Sequence, residues 1–253
     1  MKTNRRRLFF DIETSPNVVL SWRTGYELTI PHDNILEERA IICICWKWEG
    51  EEKVNSLTWD RRHCDKKMLK EFTPILNSAD ESIGHNSDRY DLKWLKTRCL
   101  YHRIPMCPNY TTLDTLKMAR GQFLFNSNKL DYIAKFLGFG GKMETGGFDL
   151  WKAIVLDNCR ESLNKMVAYC KKDVVLLERV YQELRTYAPH KFNYAVAYGL
   201  DNHDCPNCES EKVHLNKTKT TASGIIKRQM NCRECGSYFT ISNKAYEEYK
   251  SKD

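Results

Sequence analysis

Apolar positions along this chain change texture twice, and the changes predict its elements. Near the start they are dense. Leu8, Phe9, Phe10 and Ile12 fall on both faces of an extended segment, so residues 7–13 predict a buried strand. A second strand is expected near 17–23. Runs at 40–48 and 53–59, separated by Glu-Gly-Glu-Glu, predict a hairpin. The pattern then turns helical at 65–77. A short strand at 81–85 runs into Gly-His-Asn, and a helix comes next over about 89–102. After a short extended segment, helices are expected near 113–120 and 129–137, and a long one over about 161–187.

The long helix can be tested by its period. Leu163, Met166, Val167, Cys170, Val174, Leu177, Tyr181 and Leu184 recur every three or four residues and form one stripe. At about 100° per residue, Tyr169 and Asp173 lie some 40° apart at the edge of that stripe. Early strands followed by helices, with one further strand between, predict an α/β layered domain over 1–187. Residues 188–203 lack clear periodicity and read as a linker. From 204 to 253 the chain is polar and punctuated by cysteines, which sets it apart as a second, small domain.

Composition narrows the classes. The 253 residues include 42% hydrophobic and 11% aromatic side chains, enough for a sizeable core and against global disorder. Forty basic against 33 acidic residues give a net charge of +7, which suits a polyanionic partner. The richest apolar run, AIICICW at 40–46, is strand-sized and too short to span a membrane. The basic start MKTNRRRLFF runs directly into acids rather than into the apolar stretch of a signal peptide. Seven of the eleven cysteines are scattered and four form two CxxC pairs, a usage that suits a reducing compartment. The expected location is the cytoplasm, or the host cytoplasm if the chain is viral.

Five residues in three segments carry the chemistry. Asp11 and Glu13 are two apart on the first strand, so both project from the face that also carries Phe9. Two acids on a buried strand are costly unless paired or bound to metal. Asp91 follows GHNSDRY near a helix start, where a first-turn acid gains from the helix dipole. Asp88 is the more natural cap there. Tyr169 and Asp173 are four apart on one helix face, next to Lys171 and Lys172. Alone, the latter two segments read as ordinary helix chemistry. Together, four carboxylates and a phenol are what a two-cation phosphodiester site needs.

Here the chain resembles a family. FDIET, GHNSDRYD and YCKKD are similar to the three motifs of the DEDD superfamily of 3′→5′ exonucleases, which has a ribonuclease H-like fold. The YxxxD form, with no histidine between 160 and 180, points to the tyrosine subclass. TTLDTLKMAR and KLDYIAKFLGFGGK also resemble proofreading domains of family B DNA polymerases. The resemblance covers roughly 6–187 and implies a mixed sheet flanked by helices. It implies two Mg²⁺ or Mn²⁺ ions, with Asp11 bridging them, Glu13 and Asp173 on the ion that carries the attacking water, and Asp91 on the other. Tyr169 would orient the water, since a phenol of pKa about 10 is a poor base at neutral pH. The product would be a nucleoside 5′-monophosphate. DNA is favoured over RNA on this resemblance, and a proofreading role would need a replication or repair protein as partner.

Asp114 reads as supporting structure rather than as a ligand. GFGGK at 138–142 fails the P-loop pattern, because Met143 stands where Ser or Thr is required. Lys142 is instead expected at a phosphate.

Cys205-Pro-Asn-Cys208 and Cys232-Arg-Glu-Cys235 are two tight turns that aim four thiolates at one point, the pattern of a structural Zn²⁺ site. With Phe239 after the second turn, they resemble zinc ribbons. So short a tail hardly folds without the metal. Between the knuckles the chain is strongly basic, and Lys217, Lys219, Lys227 and Arg228 are expected to grip phosphates. His203 and His214 are spare ligands beside a complete cysteine set. Three readings compete: an exonuclease on DNA or RNA, a transposase-like or resolvase-like nuclease on the same fold, and a non-catalytic module that binds nucleic acid through its ribbon. The Asp-x-Glu pair with YxxxD argues against the second, and the intact acid set against the third.

Overall fold

The computed structural model of the chain describes residues 5–25, 27–106, 110–141, 146–188, 196 and 199–251. Its contacts divide into two compact units, Arg5–Leu184 and a second from Arg185 onward.

In the first unit the central strand is β1 (Arg7–Thr14). The short strands β2 (Val18–Val19) and β3 (Ile35–Glu37) pair with each other alone. β4 (Ile41–Trp48), β5 (Asn55–Thr58), β6 (Glu81–Gly84) and β7 (Thr111–Asp114) join β1 in a five-stranded sheet of order β5-β4-β1-β6-β7. The β1, β4 and β5 pairings are antiparallel; β6 and β7 run parallel to β1.

Helices cover both faces, which is why β1 reads as an unbroken apolar run rather than an alternating one. Leu8, Phe10 and Ile12 pack with Ile44 and Trp46 against α1 (Lys66–Asn77) and α2 (Asp91–Tyr101). Phe9 joins Cys43, Cys45 and Ile83 on the other face. There they meet α3 (Thr115–Gln122), α4 (Leu130–Phe136), α5 (Asp149–Val155) and the 25-residue α6 (Arg160–Leu184). The Phe9 and Tyr181 rings meet edge to face at 5.4 Å. Buried Lys47 pairs with Glu178 and ties β4 to α6.

A polar clamp joins the other layer. Asp65, at the start of α1, accepts from Arg98 at 2.7 and 3.0 Å and from the Ile41 N–H at 3.0 Å, and lies 2.6 Å from His102. Burial alone would raise the Asp65 carboxyl; the Arg98, Ile41 and His102 bonds outweigh it and hold its pKa below the ordinary value.

Three expectations change. The strand expected at 17–23 shrinks to Val18–Val19, and the side chains after it stay exposed: Leu20 is 62% and Trp22 100% exposed. No helix was expected at 149–155, where the seven-residue α5 lies. The α6 stripe is wider than one face, and Asp173, Leu176 and Val180 are buried in it, because α6 packs on β1 and β4 and also on α3, α4 and α5. Asp173 therefore sits inside the stripe rather than at its edge.

The second unit is an antiparallel sheet of β8 (Val213–Thr220), β9 (Ile226–Cys232) and β10 (Tyr238–Ser242), in the order β10-β9-β8, followed by α7 (Asn243–Lys250). The Ser242 hydroxyl caps α7 by accepting the Ala245 N–H at 3.1 Å. Val213, Met230, Phe239, Ile241, Ala245 and Tyr246 form its small core.

Candidate active site and metal centre

The acidic site grows from a mismatch in strand length. β6 pairs with β1 only over Arg7–Phe9 and ends at Gly84, whereas β1 runs on to Thr14. A notch therefore opens beside the second half of β1, at the carboxyl ends of two adjacent parallel strands, where open α/β sheets place their ligands. Asp11 and Glu13 lie at this end of β1, opposite Cys45 and Cys43 of β4. Both are half-buried. A β-bulge follows Glu13, where Thr14 pairs with Ile41 and Ile42 is skipped.

The turn after β6 delivers Asp91. Gly84 is required there: an added Cβ would stand 2.3 Å from the Ser87 Cβ. The loop is held by Asp114, whose carboxylate accepts the N–H groups of Asn86 at 2.8 Å, Asp88 at 3.4 Å and Leu116 at 2.9 Å. Asp114 thus supports the loop and caps α3. The expected cap role of Asp88 is not found: Asp88 pairs with Lys117 at 2.5 Å, and Tyr90 holds the cap position of α2.

Asp91 opens α2, is 4% exposed, and accepts the Ile12 N–H at 3.2 Å. That N–H lies between Asp11 and Glu13, so the second motif lands on the first. Burial pushes the Asp91 carboxyl up to about 7; its own N–H and that of Ile12 oppose the shift, and Asp114 adds to it. No cationic side chain pairs with Asp91 among the described residues. Such a carboxylate is comfortable only protonated or bound to a cation.

The third motif arrives on α6. Cys170 Sγ lies 3.6 Å from Asp11 Oδ2 and 3.5 Å from the Asp11 carbonyl oxygen. Tyr169, half-buried, and Asp173, 3% exposed, flank Cys170 on the helix. All three segments thus close on Asp11–Glu13. The four carboxylates supply oxygen donors alone, the set that Mg²⁺ and Mn²⁺ prefer.

Three thiols not expected from sequence, Cys43, Cys45 and Cys170, lie within 4.8 Å of one another beneath this site.

A cleft of about 420 Å³ adjoins Glu13 and is lined by Thr14, Arg39, Tyr90, Phe148 and Trp151 among others. Thr14 Oγ1 and the Tyr90 hydroxyl share a hydrogen bond of 2.7 Å, and Trp151 Nε1 donates to the Thr14 carbonyl at 3.0 Å. Sequence reading missed these aromatic residues, because nothing local signals that distant segments will line one cleft. Lys142 lies outside the described residues.

In the second unit Cys205, Cys208, Cys232 and Cys235 place their sulfurs within 4.8 Å of one another. Cys205 and Cys235 are 3.6 Å apart, and Cys208 and Cys232 3.5 Å. A tetrahedral Zn²⁺ with bonds of about 2.3 Å sets sulfurs about 3.8 Å apart, so the cage fits that ion closely. The Asn207 amide donates to Cys235 Sγ at 3.6 Å, a supporting bond typical of metal thiolates. His214, in β8 opposite Asn231, is outside this group.

On the hairpin, Lys219 stands opposite Lys227 and Lys217 opposite Gln229, so three exposed lysines share one face. Like charges directly opposed are unfavourable without an anion between them. Arg228 is on the other face: it donates to Asn243 at 2.9 Å and Thr218 at 2.6 Å and lies over the Tyr246 ring at 4.8 Å. No helix among the described residues is long and apolar enough to cross a membrane.

Comparison with known proteins agrees with this architecture. No curated protein matches the chain. Among solved structures, the family B DNA polymerase from the hyperthermophilic archaeon Pyrobaculum calidifontis is similar, with a TM-score of 0.55 at 15% identity. The match covers 73% of this chain but 25% of that polymerase, so it speaks for the fold. The RNase_H superfamily model matches residues 36–185, a span that holds Asp91, Tyr169 and Asp173 and begins after β1. With more than half of its length matched, and with a five-stranded mixed sheet flanked by helices, the chain belongs to the RNase_H superfamily.

Proposed function

We infer that this chain is a metal-dependent 3′→5′ exonuclease that acts on DNA and releases nucleoside 5′-monophosphates. The observation that carries this reading is the closure of all three motif segments on β1, through the Asp91 contact with the Ile12 N–H and the Cys170 contact with Asp11. The resemblance of the motifs to family B proofreading domains supports the polarity and the preference for DNA.

Asp11, Glu13, Asp91 and Asp173 would hold two Mg²⁺ or Mn²⁺ ions. When bound, such ions lower the pKa of water and stabilise the attacking and leaving oxygens of an in-line displacement. Asp91, desolvated by burial, gains from a cation and so favours an occupied site. Tyr169 would orient the attacking water by a hydrogen bond. The aromatic cleft beside Glu13 has a volume within the range of small-ligand pockets, roughly 300–1,000 Å³. Tyr90, Phe148 and Trp151 would stack an unpaired terminal base, and Arg39 supplies positive charge at the same rim. The ribbon would hold Zn²⁺ structurally, and Lys217, Lys219 and Lys227 would hold phosphates of the strand being cut.

The test is incubation with Mg²⁺ and matched single-stranded DNA and RNA, each labelled at the 5′ end. A descending ladder on DNA is expected. A ladder on RNA alone would keep the chemistry and make the chain an exoribonuclease. Binding to both without cleavage would refute the enzyme reading.

A further inference from the structure

Apart from the acidic notch and the two cysteine groups, one more set of metal-ligating atoms converges among the described residues. Asp201, His203 and Asp204 precede the first knuckle, and one ligand atom of each lies within 4.8 Å of the others. His203 Nε2 is 3.8 Å from Asp201 Oδ2 and 3.9 Å from Asp204 Oδ1. His203 is 6% and Asp204 2% exposed.

The turn is built to present these atoms. Asp204 Oδ2 accepts the Asp201 N–H at 2.9 Å, and the Asp204 N–H returns to the Asp201 carbonyl at 3.1 Å. That leaves Asp204 Oδ1 buried, facing the imidazole, and accepting no hydrogen bond. The His203 ring packs against Tyr249 with centroids 5.3 Å apart, and the Tyr249 hydroxyl donates to the Val213 carbonyl at 3.0 Å. Glu211 adds negative field at Asp204.

A charged imidazole paired with two aspartates is the simplest alternative. Such a pair would close to a charge-assisted hydrogen bond of about 2.7–2.9 Å. The observed separations are about 1 Å longer and leave a buried carboxylate oxygen unsatisfied, which is unfavourable. A cation with bonds of about 2.0–2.2 Å to each ligand holds tetrahedral donors about 3.4 Å apart. For the two imidazole–carboxylate pairs, closing to that spacing takes about half an ångström.

We propose that Asp201, His203 and Asp204 form a second metal site in this unit, of nitrogen and oxygen donors, which takes a borderline divalent cation such as Zn²⁺. One imidazole and two carboxylates leave a coordination position for water, and the Asp201 side chain is 49% exposed. The ion would pin the 201–204 turn next to the cysteine centre and would exchange more readily than the four-thiolate ion.

The experiment is zinc X-ray absorption on the full chain loaded with Zn²⁺, with excess Mg²⁺ to fill the acidic notch, beside His203→Ala and Asp204→Asn. Imidazole scattering marks this site, since neither the acids nor the four cysteines supply that ring. Expected is a spectrum of mixed sulfur and imidazole ligands for the wild type, and loss of the imidazole signal with one zinc equivalent in each variant. Retention of the sulfur-bound zinc in the variants would show that the ribbon still folds. A wild-type spectrum of four sulfurs alone would overturn the proposal without reference to any variant, as would equal zinc content in all three proteins.

Discussion

Replacing Asp91 with Asn removes a charge from a side chain 4% exposed while keeping an oxygen to accept the Ile12 N–H. In the metal-free protein burial raises the Asp91 carboxyl to about 7, against an ordinary value of about 3.9. Between about pH 4 and pH 7 the folded protein keeps a proton that the unfolded chain has lost, so metal-free stability falls as pH rises through that window. Above pH 7 the cost is fully present, about 4 kcal/mol as an upper bound from a shift of about three units at 1.36 kcal/mol each. Asp91→Asn escapes it. At pH 8 without metal the variant should melt higher than wild type, by on the order of 10 °C at the ceiling for a domain of this size. At pH 5 the gap should be much smaller. Mg²⁺ should stabilise the wild type at pH 8 and the variant far less, because the variant has lost an anionic ligand. The assay is thermal unfolding of the full chain at both pH values, in EDTA and in Mg²⁺. A variant no more stable than wild type at pH 8 in EDTA, or equal stabilisation of both by Mg²⁺, would refute the assignment of Asp91 as a buried metal ligand.

Gly84→Ala brings a Cβ to 2.3 Å from the Ser87 Cβ in the turn that carries Asp91; overpacking should cost about 1–3 kcal/mol in denaturant melts and slow Mg²⁺-dependent cleavage. The Asp65 carboxyl, held below its ordinary range by Arg98, Ile41 and His102 against its burial, contributes stability that is present above about pH 4 and lost as pH falls through its folded value. Wild type should therefore lose more stability than Asp65→Asn between pH 6 and pH 3, and parallel curves would contradict the clamp. Replacing Lys217, Lys219 and Lys227 with Gln should weaken single-strand binding and lower the salt slope by about 0.7 per lysine, read by anisotropy across a NaCl series; an unchanged slope would remove the hairpin from the interface.

Much of the first unit was legible because its signals are local. Both faces of β1 are covered, so its apolar run is continuous, and α6 is long enough for its period to emerge. The pairing of Asp11 with Glu13 on one face follows from strand geometry. Asp91 was harder. Its sequence context is that of a first-turn acid, and only the early end of β6 shows why its carboxylate reaches the Ile12 N–H. The aromatic cleft was invisible because Tyr90, Phe148 and Trp151 come from separate segments joined by tertiary packing. The same holds for Cys43, Cys45 and Cys170, which read as scattered core thiols until β4 and α6 meet. In the second unit, CxxC spacing anticipated the four-cysteine cluster, but the opposed faces of Lys219 and Arg228 depend on a strand register that the sequence does not specify.

The most direct test of the acidic site compares wild type, Asp11→Ala and Tyr169→Phe on one 5′-labelled single strand with Mg²⁺, with binding measured in parallel. Asp11→Ala should abolish cleavage while binding survives, and Tyr169→Phe should slow cleavage less severely. Equal cleavage by wild type and Asp11→Ala would contradict the assigned acidic site.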